Sequence, residues 1–178
     1  GQASQVIEIT NALSNFFRIS LNNGKDWVSL REEWEHLEGY LTIQKIRYRD
    51  ILRYELRLEE GIQEHKVLKL LIQPLVENAI YHGIKNRRAG GLVKVSAAAE
   101  GGRLCVTVTD TGLGMGQERL EQVRAALRSE DAALGQAGYG LYSVDQRIKL
   151  YYGQEEGLAI SSTPGEGTSV CFSVPLRD

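Results

Sequence analysis

The sequence is poor in several features that would assign it to a particular class of protein. Among its 178 residues are only two cysteines, three prolines and one methionine. Cys105 and Cys171 lie in alternating apolar runs, with neither the spacing of metal ligands nor that of a disulfide framework. No apolar run approaches the ~20 residues of a membrane span, and no G-x-x-x-x-G-K-[ST] phosphate loop is present. These absences favour a globular domain with reduced cysteines.

The charge of the chain is balanced. Lys and Arg number 21 against 23 Asp and Glu, which gives a formal net charge of −2. A charge so close to zero provides no overall field for nucleic acid, so we expect no nucleic-acid partner. Hydrophobic content of 42% and charged content of 25% are typical of a globular protein.

The first third of the chain has helical periodicity. Apolar residues recur at helical spacing over residues 2–21, and Asn22-Asn23-Gly24 ends that helix. Ser29 and Glu32 form a capping box for a second helix that runs to about residue 49. We therefore expect a helical segment over residues 1–50 and a separate domain over residues 51–178.

The rest of the chain alternates between strand and helix patterns. Period-2 alternation predicts strands at residues 52–58, 93–97, 104–108, 158–160 and 170–174. Helices are predicted at about residues 66–82, 117–128 and from 138 onwards, with a kink or a late start at Pro74. Consecutive hairpins predict an α+β fold, a two-layer α/β sandwich whose mixed, mostly antiparallel sheet carries the helices on one face.

One predicted helix combines an apolar side with an unusual polar face. Residues 73–83 read QPLVENAIYHG, in which Asn78, Tyr81 and His82 share one face. An amide oxygen suits Mg²⁺ when phosphates and waters supply the remaining ligands. Alternatively, the helix is simply amphipathic and its polar face is solvated, which is the interpretation that this segment alone favours.

Two glycine-rich turns supply further parts of a nucleotide site. Asp110 ends a strand and precedes Gly112 and Gly114, where its carboxylate can accept a hydrogen bond from the amine of adenine. Gly138 and Gly140 open a helix whose free N–H groups suit phosphate oxygens. Alternatively, Asp110 stabilises its own turn and the later glycines form a hinge.

Together these segments resemble the sensor histidine kinases of the LytS/YesM type. Residues 73–83 are similar to their N box, residues 110–115 (DTGLGM) to their first glycine box and residues 138–141 (GYGL) to their second. Residues 165–168 (GEGT) are similar to the turn before the last strand, and residues 41–48 (LTIQKIRY) to the linker helix. The resemblance covers nearly the whole chain.

The resemblance implies the fold of histidine kinases and gyrase-type ATPases, with ATP held between the N-box helix and a lid at about residues 116–137. It implies a catalytic domain that uses ATP and Mg²⁺, with Asn78 as the metal ligand and as a catalytic residue. Glu77, the nearest carboxylate to Asn78, is assigned the second catalytic role, as a base or on a Mg²⁺-bound water. The implied nucleotide-binding residues are Asn78, Tyr81, His82, Asp110, Gly112, Gly114, Met115, Gly138, Tyr139, Gly140, Leu141 and Thr168.

Two positions depart from the family pattern. The ATPase relatives place a general-base Glu four residues before the Asn, where this chain has Pro74; this favours phosphoryl transfer to a protein over hydrolysis. The family often has a phosphate-binding Lys three residues after the Asn, where this chain has Tyr81. The contact would then be lost, or made by Lys85, Arg119 or Arg124.

The resemblance also implies the partners. The family's phosphoacceptor lies in an Asn-Pro-His-Phe-like segment, which these residues lack, and we expect His36 to be an exposed structural residue. The chain is then a protein-histidine kinase fragment that binds Mg-ATP without phosphorylating itself. Its partners would be its own phosphoacceptor helix, a response regulator and, in the full-length protein, a second copy.

The implied location is the cytoplasmic side of a membrane-anchored bacterial sensor kinase. Two alternatives stay open at this stage. The first is a free-standing ATPase of the gyrase class, and the second is a degenerate nucleotide-sensing or protein-docking module.

Overall fold

The computed structural model describes residues 26–129 and 139–178, together with Thr10. The helix predicted over residues 2–21 lies outside the described residues apart from Thr10, as do residues 130–137 of the predicted lid. No helix within the described ranges is both long and apolar enough to span a membrane.

The described residues form four helices and seven strands. In chain order the elements are β1 (Trp27–Ser29), α1 (Leu30–Tyr48), a 3₁₀ turn (Arg49–Ile51), β2 (Leu52–Leu58), β3 (Lys66–Leu68), α2 (Gln73–Asn78) with a wider π-helical continuation (Ala79–Ile84), β4 (Gly91–Glu100), β5 (Arg103–Asp110), α3 (Gln117–Arg128), α4 (Tyr139–Tyr152), β6 (Ala159–Thr163) and β7 (Gly167–Pro175).

The main sheet has five strands in the order β2-β4-β5-β7-β6. The β2–β4 pair is parallel and the other three pairs are antiparallel, which confirms the predicted α+β fold with a mixed, mostly antiparallel sheet. A second, two-stranded sheet pairs β1 with β3 in antiparallel register. This small sheet was not predicted, because three-residue strands are too short to show a period.

The helices cover one face of the main sheet. Along β5 the buried residues are Leu104, Val106, Val108 and Asp110, and the residues between them are partly exposed. Leu37 and Leu41 of α1 belong to the same apolar core. The described part of the first segment therefore packs into the domain, and the domain boundary at residue 50 stays a prediction.

The start of α2 differs from its predicted position. Residues 66–68 pair with β1 instead of forming a first helical turn, so the predicted helix start at Lys66 is wrong. The helix begins at Gln73, with Pro74 in its first turn. Proline suits this place because the N–H groups of a first turn have no intrahelical partner. The late start predicted from Pro74 is confirmed.

The predicted exposure of His36 is also wrong. Its side chain is fully buried between α1 and α2, and its Nε2 lies 2.5 Å from Oε1 of Gln73. The face of α1 that carries His36 also carries the buried Glu33 and Tyr40. The expectation of an exposed His36 rests on its sequence context, which does not match the family's phosphoacceptor segment, whereas this face of α1 packs against the domain.

The capping box at the start of α1 is confirmed, and it yields a test of the fold. Ser29 Oγ accepts the N–H of Glu32 at 3.2 Å, and the Glu32 carboxylate accepts the Ser29 N–H at 2.8 Å. We expect Ser29→Ala to lower the free energy of unfolding by about 1 kcal/mol in urea denaturation, because a helix N–H loses its acceptor. Ser96→Ala, at an exposed position of β4, is the control. Equal effects of the two substitutions would contradict the capping role.

Candidate functional site

A cavity of about 120 Å³ lies between the α2 helix, the loop after β5, and helices α3 and α4. Its volume is below the several hundred Å³ typical of a whole-ligand pocket, so it suits one end of a larger molecule. The residues that line it are Asn78, His82, Gly83, Asp110, Gly114, Met115, Arg119, Val123, Leu141 and Thr168.

Asp110 is a buried carboxylate at one end of the cavity. It closes β5 opposite Thr168 of β7, and its side chain is only 4% exposed. Burial raises the pKa of Asp110, and hydrogen bonds from the backbone N–H groups of Gly112 and Thr168 oppose that rise. The Gly112 N–H donates to Oδ1 at 2.7 Å. The Asp110 carboxylate is thus held in place with acceptor capacity left for a ligand.

Gly83 allows the α2 helix to approach this carboxylate. A Cβ added at Gly83 would lie 2.5 Å from Asp110 Oδ1, and one added at Gly112 would overlap the backbone of Gly83. The N–H of Leu113 also donates to the carbonyl of Gly83, at 3.1 Å. This role of Gly83 could not be predicted from the sequence, because a contact with a residue 27 positions later leaves no local signal.

The Thr168 hydroxyl has a defined direction. Ser162 Oγ donates to the carbonyl of Gly167 at 2.9 Å and accepts the N–H of Met115 at 2.8 Å. Because a hydroxyl has one proton, Thr168 must be the donor in its 2.8 Å contact with Ser162. The Thr168 oxygen is therefore left with acceptor capacity, beside Asp110. Ser162 was missed because one serine in a strand carries no motif.

Only part of the polar face predicted for α2 lines the cavity. Asn78 and His82 line the cavity, with His82 at its exposed rim. Tyr81 is not among the lining residues, and its hydroxyl lies 3.5 Å from Nη1 of Arg47 on α1. Glu77 is also absent from the lining, and its Oε1 accepts a hydrogen bond from Gln73 at 2.7 Å. The structure therefore separates Tyr81 and Glu77 from the other predicted site residues.

The remaining predicted site residues have different placements. Gly114, Met115 and Leu141 line the cavity, and Gly112 lies behind Asp110 as part of the adjacent turn. Gly114 has a φ of 64°, and an added Cβ would overlap the carbonyl of Thr163.

The glycine turn before α4 is described only in part. Gly140 is exposed in the first turn of α4, with open space around it. Tyr139 begins that helix. Gly138 lies outside the described residues, so its predicted role stays a prediction.

Of the three cations proposed for a phosphate contact, Arg119 is at the cavity. Arg124 instead donates to the carbonyl of Ile160 at 2.7 Å and pairs with Glu121 at 2.9 Å. Lys85 lies over the Tyr81 ring, 5.6 Å from its centroid. The described α3 therefore contributes Arg119 to the polar end of the cavity and Val123 to its apolar wall.

Two family models match the chain. The model described as "Histidine kinase-, DNA gyrase B-, and HSP90-like ATPase" matches residues 63–178, and the model described as "Histidine kinase" matches residues 1–52. Sensor histidine kinase YesM of Bacillus subtilis (strain 168) is 30% identical over 99% of this chain and 29% of its own length. Sensor protein kinase HptS of Staphylococcus aureus (strain USA300) is 31% identical over 94% of this chain and 32% of its own length. The chain thus spans about three tenths of the length of these relatives.

Solved structures of histidine kinase domains share the fold. The histidine kinase domain of the blue-light activated histidine kinase from Erythrobacter litoralis superposes with a TM-score of 0.60 at 19% identity, over 97% of this chain and 75% of that one. The catalytic domain of histidine kinase ThkA, in a nucleotide-free form, superposes with a TM-score of 0.60 at 16% identity, over 85% of this chain and 96% of that one.

The close contact between Gly83 and Asp110 predicts that a single methyl group added at Gly83 destabilises the fold. We expect Gly83→Ala to lower the free energy of unfolding by about 1–3 kcal/mol, because the added Cβ overpacks the carboxylate. Gly140→Ala is the matched control, since nothing lies near an added Cβ there and alanine favours a helix. Thermal unfolding of both variants measures the difference. A loss as large for Gly140→Ala would contradict the proposed overlap.

Burial of Asp110 predicts a pH dependence. Its folded-state pKa lies above the ordinary value of about 3.9, so ionisation opposes folding. The cost is absent below the unfolded-state pKa and complete once the pH exceeds the folded-state pKa. Asp110→Asn should therefore be more stable than the unaltered chain at pH 7, with the difference shrinking as the pH falls towards 3. Urea titrations across this range measure it, and a difference independent of pH would contradict the assignment.

Proposed function

Because the chain belongs to the family of histidine kinase-, DNA gyrase B- and HSP90-like ATPases, we propose that it is the ATP-binding catalytic domain of a two-component sensor histidine kinase. The resemblance to sensor histidine kinases of the YesM type, noted in the sequence, is confirmed by the matching relatives. The observation that carries the proposal is the single cavity lined by both Asn78 and Asp110, which the fold brings together from α2 and β5.

Asp110 and Thr168 are proposed to bind the adenine base. Both present oxygen acceptors at the same end of the cavity, as the exocyclic amine of adenine requires. Guanine has a carbonyl at the corresponding position and would face these acceptors with another acceptor. Met115, Val123 and Leu141 supply apolar surface for the flat faces of the base.

Asn78 is proposed as the protein ligand of Mg²⁺. The described residues contain no group of three or more His, Cys, Asp or Glu that could hold a metal by itself. A single amide oxygen fits Mg²⁺ in this context, because Mg²⁺ keeps several waters and binds substrate phosphates. When bound, Mg²⁺ neutralises charge on the transferring phosphoryl group. Arg119 and the first turn of α4 at Gly140 are proposed to receive the phosphates.

Phosphoryl transfer to a protein is proposed in preference to ATP hydrolysis. Pro74 stands where ATPase relatives carry the general base, and Glu77 directs its carboxylate to Gln73. A base role for Glu77 stays a prediction that its placement outside the cavity lining does not support. The chain's own contribution is then to bind and orient the nucleotide and to exclude water from its base.

The rest of the pathway is proposed from the family. The acceptor would be a histidine on a phosphoacceptor helix outside these residues, in a second copy or the same chain of a dimer. Onward transfer would be to a response regulator. The location would be the cytoplasmic side of a membrane-anchored bacterial sensor, and the lid would be the segment at about residues 116–137.

A nucleotide titration tests the proposal. We expect the chain to bind ATP at least tenfold more tightly than GTP. Asp110→Ala should weaken ATP binding by about 10- to 100-fold, because a hydrogen bond to a charged group contributes about 1.5–3 kcal/mol. Asn78→Ala should instead remove the gain in affinity that Mg²⁺ provides. Isothermal calorimetry with and without Mg²⁺ measures both effects.

Asp50→Ala, at an exposed position of the 3₁₀ turn, is the control and should leave ATP binding unchanged. Equal affinity of the unaltered chain for ATP and GTP would refute the role of Asp110. Steady ATP turnover by the chain alone would favour the ATPase alternative, and absence of nucleotide binding would favour the docking module.

A further inference from the structure

A buried carboxylate joins α1 to the chain segment from which α2 starts. Glu33 is 1% exposed, and its Oε2 accepts the N–H of Leu70 at 2.9 Å. Its Oε1 accepts the N–H groups of Leu71 and Ile72 at 3.0 and 3.1 Å. The α2 helix has no side-chain cap of its own. The acceptor for the three N–H groups directly before it therefore comes from a different helix.

The same turn is fixed from the other side by α4. Leu70 has a φ of 55°, a left-handed conformation that is strained for a residue with a branched side chain. Arg147 donates to the carbonyl of Leu70 at 2.9 Å and to that of Lys69 at 2.7 Å. Glu33 thus binds the N–H groups of this strained turn and Arg147 binds its carbonyl groups. Together they give the start of α2 a defined position.

A second connection lies one helical turn further along α1. His36 Nε2 is 2.5 Å from Oε1 of Gln73, and Gln73 Nε2 donates to Glu77 Oε1 at 2.7 Å. Because the Gln73 amide nitrogen donates to Glu77, its amide oxygen, which can only accept, is directed to His36. His36 Nε2 must then carry a proton and donate. The two hydrogen bonds therefore run in one direction, with His36 donating to Gln73 and Gln73 donating to Glu77.

These two sets of hydrogen bonds fix the position of α2 along its axis and its rotation about that axis. Glu33 holds its start, and the Gln73–Glu77 pair is held by His36 on the side that faces α1. Asn78 follows Glu77 by one residue, which turns it by about 100° towards the cavity. Apolar packing alone is not directional, whereas these hydrogen bonds determine the rotation of the helix.

We propose that Glu33 and His36 are positioning residues for the Mg-nucleotide site. By holding α2, α1 determines where Asn78 presents its amide oxygen to the metal. The inference rests on the proposed function, since it assigns Asn78 to Mg²⁺. It adds that the helix between the N-terminal segment and the catalytic domain is part of the site's geometry.

The test compares ATP affinity in excess Mg²⁺ with ATP affinity in EDTA, by calorimetry on the full chain. We expect His36→Leu, Gln73→Met and Glu33→Gln each to reduce the Mg²⁺-dependent gain at least fivefold. Their Mg²⁺-free affinities should stay within about twofold of the unaltered chain, because Asp110 and Thr168 are untouched. His36→Gln should restore the gain to within about twofold, since a glutamine amide again supplies a donor.

Glu38→Gln, at an exposed position of α1, is the matched control for Glu33→Gln and should behave like the unaltered chain. Gln73 is only partly buried, so Gln73→Met keeps the test valid if the variants at buried positions do not fold. A normal Mg²⁺-dependent gain in folded Gln73→Met would overturn the inference, as would equal behaviour of His36→Leu and His36→Gln. Absence of ATP binding by the unaltered chain would instead overturn the proposed function, and the inference with it.

Discussion

The hydrogen bonds of Glu33 are the interaction on which the arrangement of the helices depends. One buried carboxyl group accepts the N–H groups of Leu70, Leu71 and Ile72, and its removal would leave three buried N–H groups without an acceptor. The turn that it holds also receives Arg147 from α4. Three helices therefore meet at one strained turn, and the helix that carries Asn78 starts from it.

Much of the fold and part of the site follow from local patterns. The strand alternation, the Ser29 capping box and the α3 helix need only residues close in sequence, and all are confirmed. Asp110, Asn78 and Thr168 are motif residues whose types suit a nucleotide, and they line one cavity. Local chemistry alone favoured a solvated helix face at Asn78, and it was the family resemblance that indicated one common site for these residues.

The features that could not be predicted depend on distant pairings. Glu33 bonds to residues 37–39 positions away, and His36 to a residue 37 positions away, so no periodicity reveals that their helix face is buried. Tyr81 follows Asn78 by three residues, and helical spacing placed the two together. The wider π-helical turn at Ala79–Ile84 and the contact with Arg47 of α1 separate them. In each case tertiary packing decides what the sequence pattern leaves open.

The buried carboxylate has a mechanical consequence. A small withdrawal of α1 would stretch three hydrogen bonds to one carboxyl group in a place that water does not reach, so the contact resists gradual loosening. The joint between α1 and the turn at Leu70 is therefore stiff, and a displacement of α1 moves the turn with it. The two parts can then shift together as a rigid unit, without separation and without exposure of the core.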